Sequence, residues 1–87
     1  MFYVYVIKSR KDDSLYIGYS DDLKRRMKEH NAGLNFSTRN KVPWELIYYE
    51  AYKSKSDAKY RESNLKRFAK GYGQLKNRIK SSLNQAL

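Results

Sequence analysis

The 87-residue chain contains no cysteine, which removes disulfide staples, thiolate metal sites and cysteine nucleophiles at once. It has one histidine and one proline, so neither a His-x-His zinc cage nor a Ser-His-Asp triad with a histidine to spare can be assembled freely. Four glycines are too scattered to form a phosphate-cradling loop. Long apolar runs are also missing: Phe2 to Ile7 is the longest near the start, far below the roughly 18 residues that span a bilayer. Lys8 and Arg10 follow that run instead of preceding it, so no signal peptide is expected and a reducing cytoplasm is the expected compartment. Acidic residues are scarce as well. Nine Asp plus Glu stand against nineteen Lys plus Arg, a net charge of +10, and the partner such a surface suits first is a nucleic acid. Nine tyrosines, three phenylalanines and one tryptophan supply the apolar area that a folded domain of this size needs. One domain over residues 1–87 is expected, with a monomer compatible, because so short a chain cannot enclose two cores.

Phe2 to Ile7 alternates in the strand manner, with Phe2, Val4 and Val6 on one face and Tyr3, Tyr5 and Ile7 on the other. The polar run Ser9 to Ser14 carries turn chemistry, and Leu15 to Tyr19 resumes the strand pattern, so the two segments form a hairpin. With an even-numbered loop, opposed positions sum to an odd number, which puts Tyr5, Tyr16 and Gly18 on one face. Ser20 as cap and Asp21-Asp22 open a helix to Asn31, and Gly33 stops it. A basic loop from Gly33 to Pro43 leads to a third strand, Trp44 to Tyr52. Ser54-Lys55-Ser56-Asp57 resembles a capping box for a second helix closed by Gly71, and Leu75, Ile79 and Leu83 mark a third. No internal repeat or long linker interrupts this order.

Two helices break their own apolar pattern. On the first, Leu23, Arg26, Met27 and His30 hold the inward positions i, i+3, i+4 and i+7. The structural explanation is a snorkelling Arg26 and a His30 that partners the negative helix end. On the second, Glu62 shares a stripe with Ala58, Leu65 and Ala69, where a carboxylate needs a partner: Arg26, Lys66 or a metal ion. One carboxylate suffices for a divalent ion, Mg2+ or Mn2+, that keeps most of its waters and takes phosphate oxygens from a substrate. Tyr5 and Tyr16 stand out because they share a face with Gly18, which weakens a strand unless something must come close. Tyr48, Tyr49, Tyr52 and Tyr60 are expected to be packing groups. Lys24, Arg25 and Lys28 on the first helix and Arg39 and Lys41 in the basic loop are expected to contact phosphates.

Tyr3-Val4-Tyr5, followed by Tyr16-Ile17-Gly18 ten residues after Val6, resembles the paired signature of the GIY-YIG nuclease superfamily. Arg26, ten residues beyond Tyr16, then His30, then Glu62 on a later helix extend the resemblance over nearly the whole chain, most of all to small stand-alone bacterial members described as excision-repair-nuclease-like. The resemblance implies an α+β fold with a three-stranded antiparallel sheet flanked by helices in the order β-β-α-β-α-α. It also implies an endonuclease acting on nucleic acid, DNA before RNA, with one divalent metal. By that likeness Glu62 holds the metal, Arg26 contacts the scissile phosphate, Tyr5 or Tyr16 takes the proton of the attacking water, and His30 assists. Two positions depart from the signature: Tyr3 stands at its first glycine and Tyr19 where several members carry lysine. A further polar residue of the family would fall on Gln74 or Asn77. A catalytically weak basic binding module is the alternative, while a membrane-surface protein would need a broader apolar helix face than the first helix offers.

Overall fold

The computed structural model describes residues 1–84. Three strands, β1 (Phe2–Ser9), β2 (Leu15–Ser20) and β3 (Trp44–Tyr52), form one sheet in the order β2-β1-β3, with both pairs antiparallel. Four helices accompany them: α1 (Leu23–Asn31) between β2 and β3, then α2 (Lys55–Arg67), α3 (Ala69–Arg78) and α4 (Lys80–Asn84). The expected α+β architecture is therefore present, with one helix more than expected. Tyr5 pairs with Gly18 and Ile7 with Tyr16, a constant sum of 23 that meets the odd-sum rule of the hairpin.

The alternation in β1 divides the interior in two. Val4 and Val6, with Ile17, face a core shared with Ala58 and Leu65 of α2, Leu75 of α3 and Ile79. Tyr5 and Ile7 face the other side, where Trp44 is buried and Tyr16, Leu23, Met27 and Leu46 pack around them. Between β1 and β3 the register slips at Val6/Ile7. This bulge reverses the parity of β3, so that Trp44 and Leu46 lie in the tyrosine-side cluster while Ile47 and Tyr48, adjacent in sequence, both reach the valine side.

The helix ends correct three sequence expectations. Asp22, not Ser20, caps α1 by accepting from the Arg25 N–H at 3.0 Å, while the Ser20 hydroxyl bridges the Asp22 backbone on both sides at 3.0 Å. Gly33 does end that helix, in the left-handed region at φ 75°. Ser54 occupies the N-cap of α2 but bonds the Ser56 hydroxyl instead of a helix N–H. The second helix closes at Arg67, with Phe68 extended, and Gly71 falls inside α3. At 3.6 residues per turn a continuous helix would place Leu75 about 80° round from Leu65. The break at Phe68 lets both reach the same core, and a second interruption at Ile79 separates α3 from α4.

A polar clamp fixes α2 to the valine side. Arg61 donates to both carboxylate oxygens of Glu50 at 2.9 and 3.0 Å, and the Tyr48 and Tyr52 hydroxyls donate to the same carboxylate. Burial alone would raise the Glu50 carboxyl, but Arg61, Tyr48 and Tyr52 outweigh it and hold the group below its ordinary range. Tyr48 and Tyr52 are thus hydrogen-bonding members of a satisfied network as well as packing groups.

Candidate active site on the tyrosine face

Tyr5 lies at the centre of the sheet with no exposed surface. Its ring crosses the bare backbone of Gly18 on β2, where any side chain would collide with the phenol. What comes close at this glycine is therefore the first tyrosine itself, and the missing Cβ sets the course of the ring. Across Gly18 the hydroxyl reaches His30 Nε2 at 2.7 Å.

His30 is completely buried, and its second nitrogen, Nδ1, meets the Thr38 hydroxyl at 2.8 Å. Burial, aided by the Arg26 charge, lowers its pKa below the ordinary value. A neutral ring held at both nitrogens replaces the expected cationic partner of the helix end. Its position is fixed by the chain around it. Asn31 grips the Trp44 backbone, accepting from its N–H at 2.6 Å and donating to its carbonyl at 3.1 Å, and the Trp44 indole donates to the Thr38 carbonyl at 2.9 Å. The end of α1, the basic loop and the start of β3 therefore close around one imidazole. Thr38 carries no periodic or motif signal in the sequence, so nothing there could have identified it.

Arg26 lies one turn before His30. Its side chain is 34% exposed and makes a 3.1 Å ion pair with Glu29, not with Glu62. The Tyr5 phenol beside it, burial notwithstanding, and the Glu29 carboxylate keep its charge firmly in place. Among the described residues, Arg26 Nε is the buried side-chain polar atom left without a hydrogen-bond partner. A guanidinium with an unanswered N–H next to buried aromatic groups leaves a donor that only a hydrogen-bond acceptor would satisfy, and an unpaired buried donor costs more than the bond itself is worth.

Tyr16 is half-buried on the edge strand, its ring centroid 5.5 Å from that of His30 and 6.3 Å from that of Trp44. Tyr16 lies near enough to oppose the ionisation of Tyr5, and Glu62 adds to the same effect. Burial is the larger cause, and the Tyr5 phenol is pushed up to about 12 although Arg26 pulls it down. Glu62 comes from α2, with 16% of its side chain exposed, and pairs with Lys66 at 3.0 Å. The Lys66 ammonium also lies 5.6 Å from the centre of the Tyr16 ring. Of the two protein partners expected for Glu62, Lys66 is the one realised.

Tyr5, Tyr16, Arg26, His30 and Glu62 are thus drawn from two strands and two helices to one region. No group of three or more His, Asp or Glu side chains gathers among the described residues. A hard divalent ion fits the remaining donor set if Glu62 is its one protein carboxylate and water and phosphate oxygens complete the shell. Gln74 and Asn77 are both exposed on α3.

The basic residues separate by partner. Arg25 is engaged by Asp21 at 3.1 Å and Glu29 at 3.6 Å, and Lys41 by Asp12 at 3.2 Å. Arg39 stacks its guanidinium 4.6 Å above Phe36. Lys24 and Lys28, one turn apart on α1, make no ion pair among the described residues.

A sheet with a tyrosine from each hairpin strand, an arginine and histidine on the next helix and a later glutamate defines a GIY-YIG catalytic domain, and the family model of that description matches residues 1–82. The chain belongs to the GIY-YIG family. Among its relatives are UPF0213 proteins of Staphylococcus haemolyticus, 42% identical over 69 residues covering 78% of this chain and 83% of the relative, and of Haloquadratum walsbyi, 39% identical over 69 residues covering 78% and 76%. The solution NMR structure of the UPF0213 protein from Bacillus halodurans is 29% identical, covers 99% of this chain and 100% of its own, and superposes with a TM-score of 0.57. Membership implies a nuclease-like function, nucleic-acid binding and the divalent-metal use general in the family. No helix among the described residues is long and apolar enough to cross a membrane.

Proposed function

We propose that the chain is a metal-dependent endonuclease that hydrolyses phosphodiester bonds, DNA before RNA, at the site around Arg26. The observation that carries this reading is the orphaned Arg26 Nε beside Tyr5, an unmet demand for an oxyanion in the middle of the family's signature residues. Arg26 would bind the attacked phosphate and stabilise the charge that builds on it. Water attacks phosphorus while an ionised tyrosine oxygen takes the water's proton, the ester P–O bond breaks, and the leaving alkoxide takes a proton from solvent water. Tyr16 suits that task better than Tyr5, because Tyr16 reaches the surface whereas Tyr5 is sealed from water and resists ionisation. Tyr5 and His30 then act as positioning residues that hold Arg26 and Tyr16 in register. A divalent ion at Glu62 would supply Lewis-acid charge at the phosphate.

Labelled single-stranded, duplex, nicked and branched DNA and RNA, incubated with Mg2+ or Mn2+, test the proposal. Cleavage that a chelator abolishes is expected, and no cut in any substrate with either ion would end it. Single-turnover cleavage should rise with pH in the wild type and lose that rise in Tyr16→Phe; a Tyr16→Phe enzyme with the wild-type profile would move the base to another group. The second reading, a binding module without turnover, is favoured by the Lys66 ammonium on the Glu62 carboxylate. It predicts tight binding with no metal-dependent product.

A further inference from the structure

Beside the site lies a cavity of about 510 Å3 lined by Tyr3 and Leu46 and Tyr49 from the sheet and by Leu23, Lys24, Met27 and Lys28 from α1. We propose that this cavity holds the base of an unpaired nucleotide next to the cut, a reading that rests on the nuclease function above and adds a substrate requirement to it. Tyr3 precedes Tyr5 by one same-face position on β1, and Leu23 and Met27 also pack in the cluster around Tyr5, so the cavity and the site share a wall. Its floor is apolar and aromatic. Tyr49 is 52% exposed there, with its ring set edge-on to Tyr3 at 5.9 Å between centroids, which leaves a ring face free to stack. The lining also includes the two α1 lysines, which make no ion pair among the described residues and are spaced one turn apart as successive phosphates would require of a strand running along the helix.

Aromatic floor, basic rim and continuity with a phosphate receptor are the combination by which proteins hold single-stranded nucleic acid. A base that remains paired in a duplex cannot enter such a concavity. The cavity therefore selects substrates with an unpaired nucleotide flanking the scissile phosphate, and it selects by stacking, with little preference for base identity.

The test uses a short single strand with 2-aminopurine, binding without metal, and compares wild type, Tyr49→Ala, Tyr49→Phe and Lys24→Ala. Stacking should quench the fluorescence in wild type and Tyr49→Phe, and Tyr49→Ala should lose the quenching and bind about tenfold or more weakly. An abasic spacer in place of the base should erase the difference between wild type and Tyr49→Ala. Lys24→Ala should keep the quenching and lower the salt dependence of binding by about one phosphate contact. Equal affinity and equal quenching in wild type and a folded Tyr49→Ala would overturn the proposal, as would binding that ignores the abasic spacer. Cleavage of the same strand with Mg2+ is scored separately, so a nuclease without this subsite and a stacking protein without turnover give different results.

Discussion

The two faces of the sheet treat their buried polar groups in opposite ways. On the valine side, Glu50 is surrounded by Arg61, Tyr48 and Tyr52, and each carboxylate oxygen has a donor. On the tyrosine side, Arg26 keeps a buried Nε with no hydrogen-bond partner among the described residues, and Tyr5 and His30 are both pushed toward their neutral forms by burial. A closed network fixes α2 on the sheet and asks nothing of a ligand. An open one leaves a donor unanswered, and the fold tolerates it because the opposite face, with Leu65 and Leu75 packed on Val4 and Val6, supplies the core.

The largest expected effect is chemical and confined to the open face. Glu62→Gln should reduce cleavage by on the order of a thousandfold or more, while metal-free affinity for nucleic acid stays equal or rises slightly. Its melting point should hardly move, since the lost partner is the exposed Lys66, a surface helix pair worth at most about 1 kcal/mol. Wild-type cleavage by this variant would remove the metal assignment.

Next in size is a pair of variants that should separate stability from activity. Leu65→Ala empties part of the valine-side core and should cost about 2–5 kcal/mol of stability, read by denaturant melts, with little change in rate while the protein is folded. Gly18→Ala drives a methyl group into the Tyr5 ring and should cost about 1–3 kcal/mol, yet it should lower cleavage more than Leu65→Ala does, because the ring must leave His30. If both variants lose activity only in proportion to unfolding, the two faces are not functionally distinct.

Lowering the pH should disturb the faces in different windows. His30 has a depressed pKa in the folded chain, so the unfolded chain takes up its proton first; stability is whole above the unfolded value near 6.5 and declines as pH falls from there toward the folded value. Glu50 is also depressed. Its contribution is whole above the unfolded carboxylate range near 4.3 and is lost as pH falls through the lower folded value. Melts against pH should show two declines, with His30→Gln removing the upper and Glu50→Gln the lower. A single acid limb unaffected by His30→Gln would contradict the neutral, doubly bonded imidazole.

The smallest effect concerns the charged rim. Lys28→Ala should lower the slope of log affinity against log salt by about 0.9, whereas Lys41→Ala, already engaged by Asp12, should lower it by less. Equal slopes would show that the surface ion pairs open freely on binding.

Local pattern was enough for the three strands, for the helix between the second and third, and for the suspicious residues. Period-two alternation in β1 divided Val4 and Val6 from Tyr5 and Ile7, the odd-sum rule put Tyr5 on one face with Tyr16 and Gly18, and helical spacing alone set Arg26, His30 and Glu62 on stripes where charge does not belong. Each of these follows from one element's geometry, which a sequence states directly. The partners did not follow. Thr38 on His30, Lys66 in place of Arg26 on Glu62, the Glu50 clamp and the bulge that reverses β3 each depend on distant segments meeting, as does the break at Phe68 that brings Leu75 to the core of Leu65. Side-chain period names which residues face inward, while only the packed chain decides which of them meet, because the cost of leaving a buried polar atom alone is settled by all its neighbours together.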